Sequence, residues 1–167
     1  IRPLNVKKPS EGEIILPLLV PLHTYAPYNA QATLHMYPAL WSLLLPVTIH
    51  GRVSDIWRGY LAQKLFRDVG LELLFSSPLV RQDRNVHNYI GDLESEGPLY
   101  ARAHVLVAQL NDLQLKNSIH NFAGRMEELW VWAYERDYLQ LQDVVLCQTW
   151  IDSLHVVGYR FPPPKKK

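Results

Sequence analysis

Proline placement constrains this chain more than any other feature. Pro17, Pro21 and Pro27 fall within "IILPLLVPLHTYAPY", residues 14–28. Each removes a backbone donor and locks φ, so a helix is disfavoured and an extended segment lying on a core surface is expected. Pro38 stands where a helix can begin, and Pro46 where it must stop. Between them Leu40, Trp41, Leu44 and Leu45 recur at helical spacing and predict a buried helix of about two turns. Pro78 closes a strand over Leu71–Phe75, and the β-branched Val47-Thr48-Ile49 reads as another brief strand. Pro98 opens a helix with Tyr100, Ala103, Val107 and Leu110 on its inner side. Pro162, Pro163 and Pro164 end regular structure.

Between these stops the pattern is helical. Trp57, Leu61, Leu65 and Val69 step by four along one face, with Ser54 as N-cap, Asp55 at the positive end of the dipole and Gly70 as the left-handed stop. A later helix runs through Ile119, Phe122, Met126, Leu129, Trp130 and Ala133, and a last one from Leu141 to Val157, stopped at Gly158. The polar stretch 79–97 reads as a loop with room for a helical turn. The expected class is α/β, mixed and helix-rich, with few strands in the first half and a helical second half.

The 167 residues, 48% hydrophobic and 20% charged, describe a globular chain of one domain's length. A net charge of +1 gives no broad electrostatic basis for binding nucleic acid. The single cysteine, Cys147, rules out an internal disulfide and a multi-cysteine zinc site; among Val144, Val145 and Leu146 it reads as a small buried hydrophobe. No apolar run is long enough to span a bilayer. The seven histidines form no H-x-H or H-E-x-x-H, and no Asp-x-Asp, P-loop or G-x-G-x-x-G occurs.

The chemistry-bearing stretch is "HGRVSDIWRGYLAQ", residues 50–63. On a helical period Asp55, Arg58, Gly59 and Ala62 share one side. Glycine costs about 1 kcal/mol against alanine inside a helix, so Gly59 implies close approach by a backbone or a ligand. Two arrangements fit these residues. In one, Asp55 is a general base or ligand clamp at the mouth of a small-residue groove, with Arg52 and Arg58 holding phosphate or a carboxylate. In the other, Asp55 caps the helix and pairs with Arg58, and Gly59 serves only tight packing. Asn29 and Gln31 in "PYNAQATL" are amides suited to sugar hydroxyls or to satisfying loop backbone.

Residues 27–66, "PYNAQATLHMYPALWSLLLPVTIHGRVSDIWRGYLAQKLF", resemble the STELLO-type glycosyltransferases, with their asparagine–glutamine–threonine stretch, aromatic "W-x-L-L-P-V" helix end and "R-V-x-D-I-W-R" block. The close of the chain, Trp150, Asp152, Leu154, Val157, Gly158 and Tyr159, is similar to that family's "W-x-x-D-L-x-x-V-G-Y" finish. The resemblance implies a lumenal domain of a Golgi membrane protein, a nucleotide-sugar donor, a hydroxyl acceptor and, as a further partner, a membrane polysaccharide-synthase complex. By analogy Asp55 is the base or acceptor contact, Trp57 walls the sugar pocket, Arg52 and Arg58 orient Asp55 or touch phosphate, and Asn29 and Gln31 line the site. The chain departs from such transferases in lacking Asp-x-Asp and in placing Ala32 where a second asparagine is common. It is therefore expected to be the C-terminal half of the domain, inactive alone, with any divalent metal held by residues upstream. The division expected is 1–13 linker, 14–97 acceptor-side half, 98–161 helical subdomain and 162–167 tail. A non-catalytic scaffold of the same fold is the rival reading.

Overall fold

A computed structural model describes residues 17–21, 23–77, 80, 86 and 88–166. The expected linker 1–13, the start of the extended segment and most of the polar loop before residue 88 lie outside the described residues.

Helix α1, Gly51–Val69, is the central element. Trp57, Leu61 and Leu65 are buried along the expected stripe, but Tyr60, Ala62 and Gln63 are buried as well. A helix covered nearly all round sits inside a fold rather than on it. Its start differs from expectation: the N-cap is His50, whose Nδ1 accepts the Arg52 N–H at 3.3 Å. Ser54 lies within the first turn instead, and its hydroxyl donates to the Pro46 carbonyl at 2.6 Å. The stop is as expected, with Gly70 at φ 71°.

The segment bracketed by prolines is a 3-10 helix, Tyr37–Leu43, with Pro38 in its first turn. Its tighter period buries Trp41 and Leu44 and leaves Leu45 exposed, so the apolar face is narrower than α-helical spacing suggested. Val47-Thr48-Ile49 is a bend. Its amides find no neighbouring strand and donate to a carboxylate, Asp143 Oδ1, at 2.7 Å from Val47 and 3.3 Å from Thr48.

Strands β1, Leu18–Leu19, and β2, Leu74–Phe75, pair antiparallel with Leu18 opposite Phe75. Helix α2, Tyr89–Ser95, is capped by Asn88. Helix α3, Gly97–Asp112, has Pro98 in its first turn and buries Leu106 and Leu110, whereas Tyr100 faces solvent. Helix α4, Phe122–Tyr134, is capped by Asn121, and α5, Leu141–Val156, ends before Gly158 at φ 74°.

Polar ties fix the helices around α1. Lys64 Nζ donates to Leu110 O and Leu113 O, both at 2.7 Å, so an ammonium serves the unpaired carbonyls at the end of α3. Arg125 Nε meets Asp68 Oδ2 at 2.8 Å, joining α4 to α1. Helices α4 and α5, neighbours in sequence across a short connection, pack against each other, and one apolar cluster takes in residues from Ala39 to Tyr159. Phe161 packs on that cluster, and beyond the three prolines the Lys165 N–H donates to Asp68 O at 2.8 Å. The architecture is a helix-rich α/β fold with a minimal sheet.

Candidate functional site

A strap of chain, residues 24–36, crosses the small-residue side of α1, and three of the sequence-predicted residues, Asn29, Gln31 and Asp55, meet there. Tyr28 fills the room left by Gly59: a Cβ on Gly59 would come within 3.0 Å of the Tyr28 ring. Gln63 acts as a surrogate strand edge. Its Oε1 accepts the Ala26 N–H at 3.0 Å, and its Nε2 donates to Ala26 O and Gly59 O, both at 2.9 Å.

Asp55 is the fifth residue of α1 and half-buried, a turn further in than expected, where the helix dipole has largely fallen away. Its Oδ2 accepts the Ala30 N–H and its Oδ1 the Ile56 N–H, both at 2.9 Å. Each oxygen keeps a further lone pair. The carboxylate thus holds the strap in place and still meets solvent.

The two arginines diverge. Arg52 pairs with Asp92 at 2.5 Å and Glu96 at 3.1 Å, joining α1 to α2. Arg58 is 3% exposed and turns inward. Its Nη1 donates to Ser42 O at 3.2 Å and lies 3.1 Å from His35 Nε2; its Nε points to Asp55 O at 3.5 Å. Its guanidinium sits over the Tyr28 ring, 5.1 Å from the centroid. Among the described residues neither arginine forms an ion pair with Asp55. Burial first, and the Arg58 charge second, hold His35 below its ordinary value. Because guanidinium only donates, His35 Nε2 must be the acceptor, which requires a neutral ring.

Trp57 is 2% exposed and packs edge-on against Tyr138 with centroids 5.3 Å apart, so it belongs to the core and walls no open pocket. Asn29 Oδ1 accepts the Gln31 N–H at 3.1 Å, and Asn29 O accepts from Thr33 Oγ1 at 2.6 Å. The Asn29 side chain therefore shapes the strap, while the Gln31 amide is exposed. The structure brings Asp55, Asn29 and Gln31 to one surface. It places Arg58 and Trp57 behind that surface and Arg52 at its far edge.

Three groups escaped sequence reasoning: Tyr28, Gln63 and Asp143. Asp143 is fully buried; it accepts from Val47 and Thr48 main chain and from the Thr48 hydroxyl. A lone acid within the apolar run "LQDVVLC" was its only signal.

Asp55 lines neither of two concavities in the fold. One is an apolar groove of about 270 Å³ between the 3-10 helix and α5, edged by Tyr37, Leu43, Trp150, Val157 and Tyr159. The other is a cavity of about 10 Å³ behind Arg58. Among the described residues no group of three or more His, Cys, Asp or Glu side chains is placed to hold a metal ion. No helix among them is long and apolar enough to cross a membrane.

The model of the family described as STELLO glycosyltransferases matches residues 52–165. The chain is similar to the probable glycosyltransferase STELLO2 of Arabidopsis thaliana, 28% identical over 143 residues, an alignment covering 86% of this chain and 18% of that protein. It is also similar to the probable glycosyltransferase STELLO1 of the same plant, 27% identical with the same coverage. The chain thus spans under a fifth of the length of these relatives, 18% in each case. No solved structure matches it.

Proposed function

The chain belongs to the STELLO glycosyltransferase family, and from that premise we propose that it forms part of a glycosyltransferase that moves a sugar from a nucleotide-sugar donor to a hydroxyl acceptor. The observation that carries the reading is the extent of the family match: residues 52–165 take in helices α2 to α5 and all of α1 but its first residue. The proposed setting is the lumen of the Golgi, with a membrane polysaccharide-synthase complex as partner.

In this reading the surface formed by the strap and α1 receives the acceptor. Asp55 is the base. Two main-chain N–H groups fix its carboxylate, among the described residues no cation is paired with it, and its outer lone pairs stay accessible. The acceptor oxygen bonds to the anomeric carbon as the bond from that carbon to the diphosphate oxygen breaks. The hydroxyl proton passes to Asp55 and the nucleoside diphosphate leaves. Asn29 and Gln31 offer amides to sugar hydroxyls from the strap. Arg58 and Trp57 act from behind as positioning residues, and Arg52 holds the α2 edge. The described residues do not fit a metal site, so no step is assigned to a metal.

The test is sugar transfer by the full-length protein, read as release of nucleoside diphosphate. Asp55→Asn keeps an oxygen to accept the Ala30 N–H but lacks the basicity. It should lower turnover at least about 100-fold, the usual scale for a general base, with the melting temperature within a few degrees. Full turnover by Asp55→Asn removes Asp55 from the chemistry. Absence of transfer by the unaltered protein across nucleotide-sugar donors, with synthase association intact, points instead to a scaffold.

A further inference from the structure

The ribbon of β1 and β2 is apolar on both faces and covered on neither. Leu18 shares one face with its partner Phe75, and Leu19 shares the other with Leu74. All four side chains are between 39% and 66% exposed. A strand that meets water on one face alternates apolar with polar residues, whereas one buried on both faces carries an unbroken apolar run. The pattern is that of a sheet interior, yet a lone two-stranded ribbon is marginal in water. The two edges also differ. The Val20 N–H donates to Leu73 O at 2.9 Å, which makes those residues a hydrogen-bonded pair and turns the main-chain N–H and C=O of Leu19 and Leu74 outward. Among the described residues nothing bonds to these outward groups. Alternation puts Pro17 and Pro21 on the Leu19 edge, and proline has no N–H to offer a neighbour. On the other edge Glu72 and Ser76 flank Leu74 at the same spacing, and both keep their N–H. Strand β1 thus closes the ribbon, and β2 leaves it open.

We propose that the Leu74 edge of β2 is a docking edge, where an extended apolar segment from the remainder of the same polypeptide adds as a third strand. Main-chain hydrogen bonds to Leu74 give the attachment, and apolar side chains on both faces of the enlarged sheet cover Leu18, Leu19, Leu74 and Phe75. The source follows from length. The aligned stretch is 18% of each curated relative, so most of such a polypeptide lies outside it. A segment tethered in the same chain reaches the edge at a far higher effective concentration than a separate molecule does. The prolines on the Leu19 edge fix the direction of growth: the sheet extends from β2 away from β1. The inference concerns how the helical core joins the rest of the protein and stands apart from the chemistry assigned to Asp55.

The experiment uses the full-length protein, and its first arm needs no substitution. Hydrogen–deuterium exchange resolved to single amides reads the Leu74 N–H. It is expected to exchange at least about 100-fold more slowly than in an unstructured peptide, because a third strand accepts from it. Exchange at the unprotected rate overturns the proposal. The second arm identifies the occupant. Leu74→p-benzoylphenylalanine keeps the main-chain N–H and puts a photoreactive ring at the edge. An adduct with a segment of the same polypeptide outside residues 1–167 supports the proposal. A covalent dimer, an adduct within residues 1–167, or no adduct overturns it.

Discussion

The ring of Tyr28 lies against the bare Cα of Gly59, where a Cβ would approach Tyr28 Cε1 to 3.0 Å and Tyr28 O to 3.4 Å. The absent methyl group lets the strap sit on α1. Gly59→Ala gains about 1 kcal/mol of helix propensity but must move a buried ring by a few tenths of an ångström. The steric term should win, for a net loss of about 1 kcal/mol in chemical denaturation. In a Tyr28→Ala background the clash is gone and Gly59→Ala should become stabilising. A double-mutant cycle reads that reversal directly.

Acid should loosen the same contact. Burial, and next the Arg58 guanidinium, hold His35 below its ordinary 6.5. In the unfolded chain His35 takes up a proton as pH falls through 6.5, while the folded form resists until a lower pH. The stabilising contribution is therefore complete above 6.5, declines as pH falls through that interval and is lost below the folded value. Tyr28 and Arg58 are the groups against the ring, and the bond to Arg58 breaks once Nε2 carries a proton. The melting temperature should fall on acidification from about pH 7 to about pH 5. His35→Gln keeps an acceptor without titrating, so its slope should be shallower.

A third expectation concerns Asp143, whose carboxylate replaces a strand partner for the bend at residues 47–48. Asp143→Ala would leave the Val47 and Thr48 amides with no partner and the Thr48 O–H with no acceptor, although the hydroxyl oxygen still accepts the Gln140 N–H at 3.2 Å, and should cost about 3 kcal/mol. Asp143→Asn keeps one oxygen for the amides and should cost less, about 1–2 kcal/mol. Urea titration of the two variants gives the ranking.

Cys147 should be chemically silent in the folded protein. Its thiol is fully buried, and burial, with the nearby Glu127 charge, pushes its pKa up, so the reactive thiolate is scarce. A thiol reagent should label the native protein only at the rate of unfolding, and the denatured protein at once.

Local signals in the sequence were readable and distant ones were not. Gly70, Gly158 and Pro98 mark their helix ends because the cause is the residue's own backbone geometry. Ser54 misled because a cap depends on where the chain turns in. The carbonyl of Pro46 claims its hydroxyl, and His50 takes the cap. Gly59 announced that something must come close, but Tyr28 is 31 positions away by residue number and carries no mark of it. The partner of Asp55 is a main-chain N–H, that of Ala30, which no side-chain pattern encodes. Likewise the strand expected at 47–49 had the right residue types and no neighbour to pair with.

Hydrogen bonds join the early chain to its far end. Trp150 Nε1 reaches Trp41 O across 109 positions, Tyr159 OH reaches Tyr37 O across 122, and Val47 N reaches Asp143 across 96. During synthesis the 3-10 helix and the bend therefore leave the ribosome long before anything can cover them. Closing such long loops precedes the reward of contact, so folding waits on translation of the last helix. Until Tyr159 emerges, Trp41 remains a greasy nascent surface, and a stalled or prematurely ended chain would offer it to chaperones rather than to its own core.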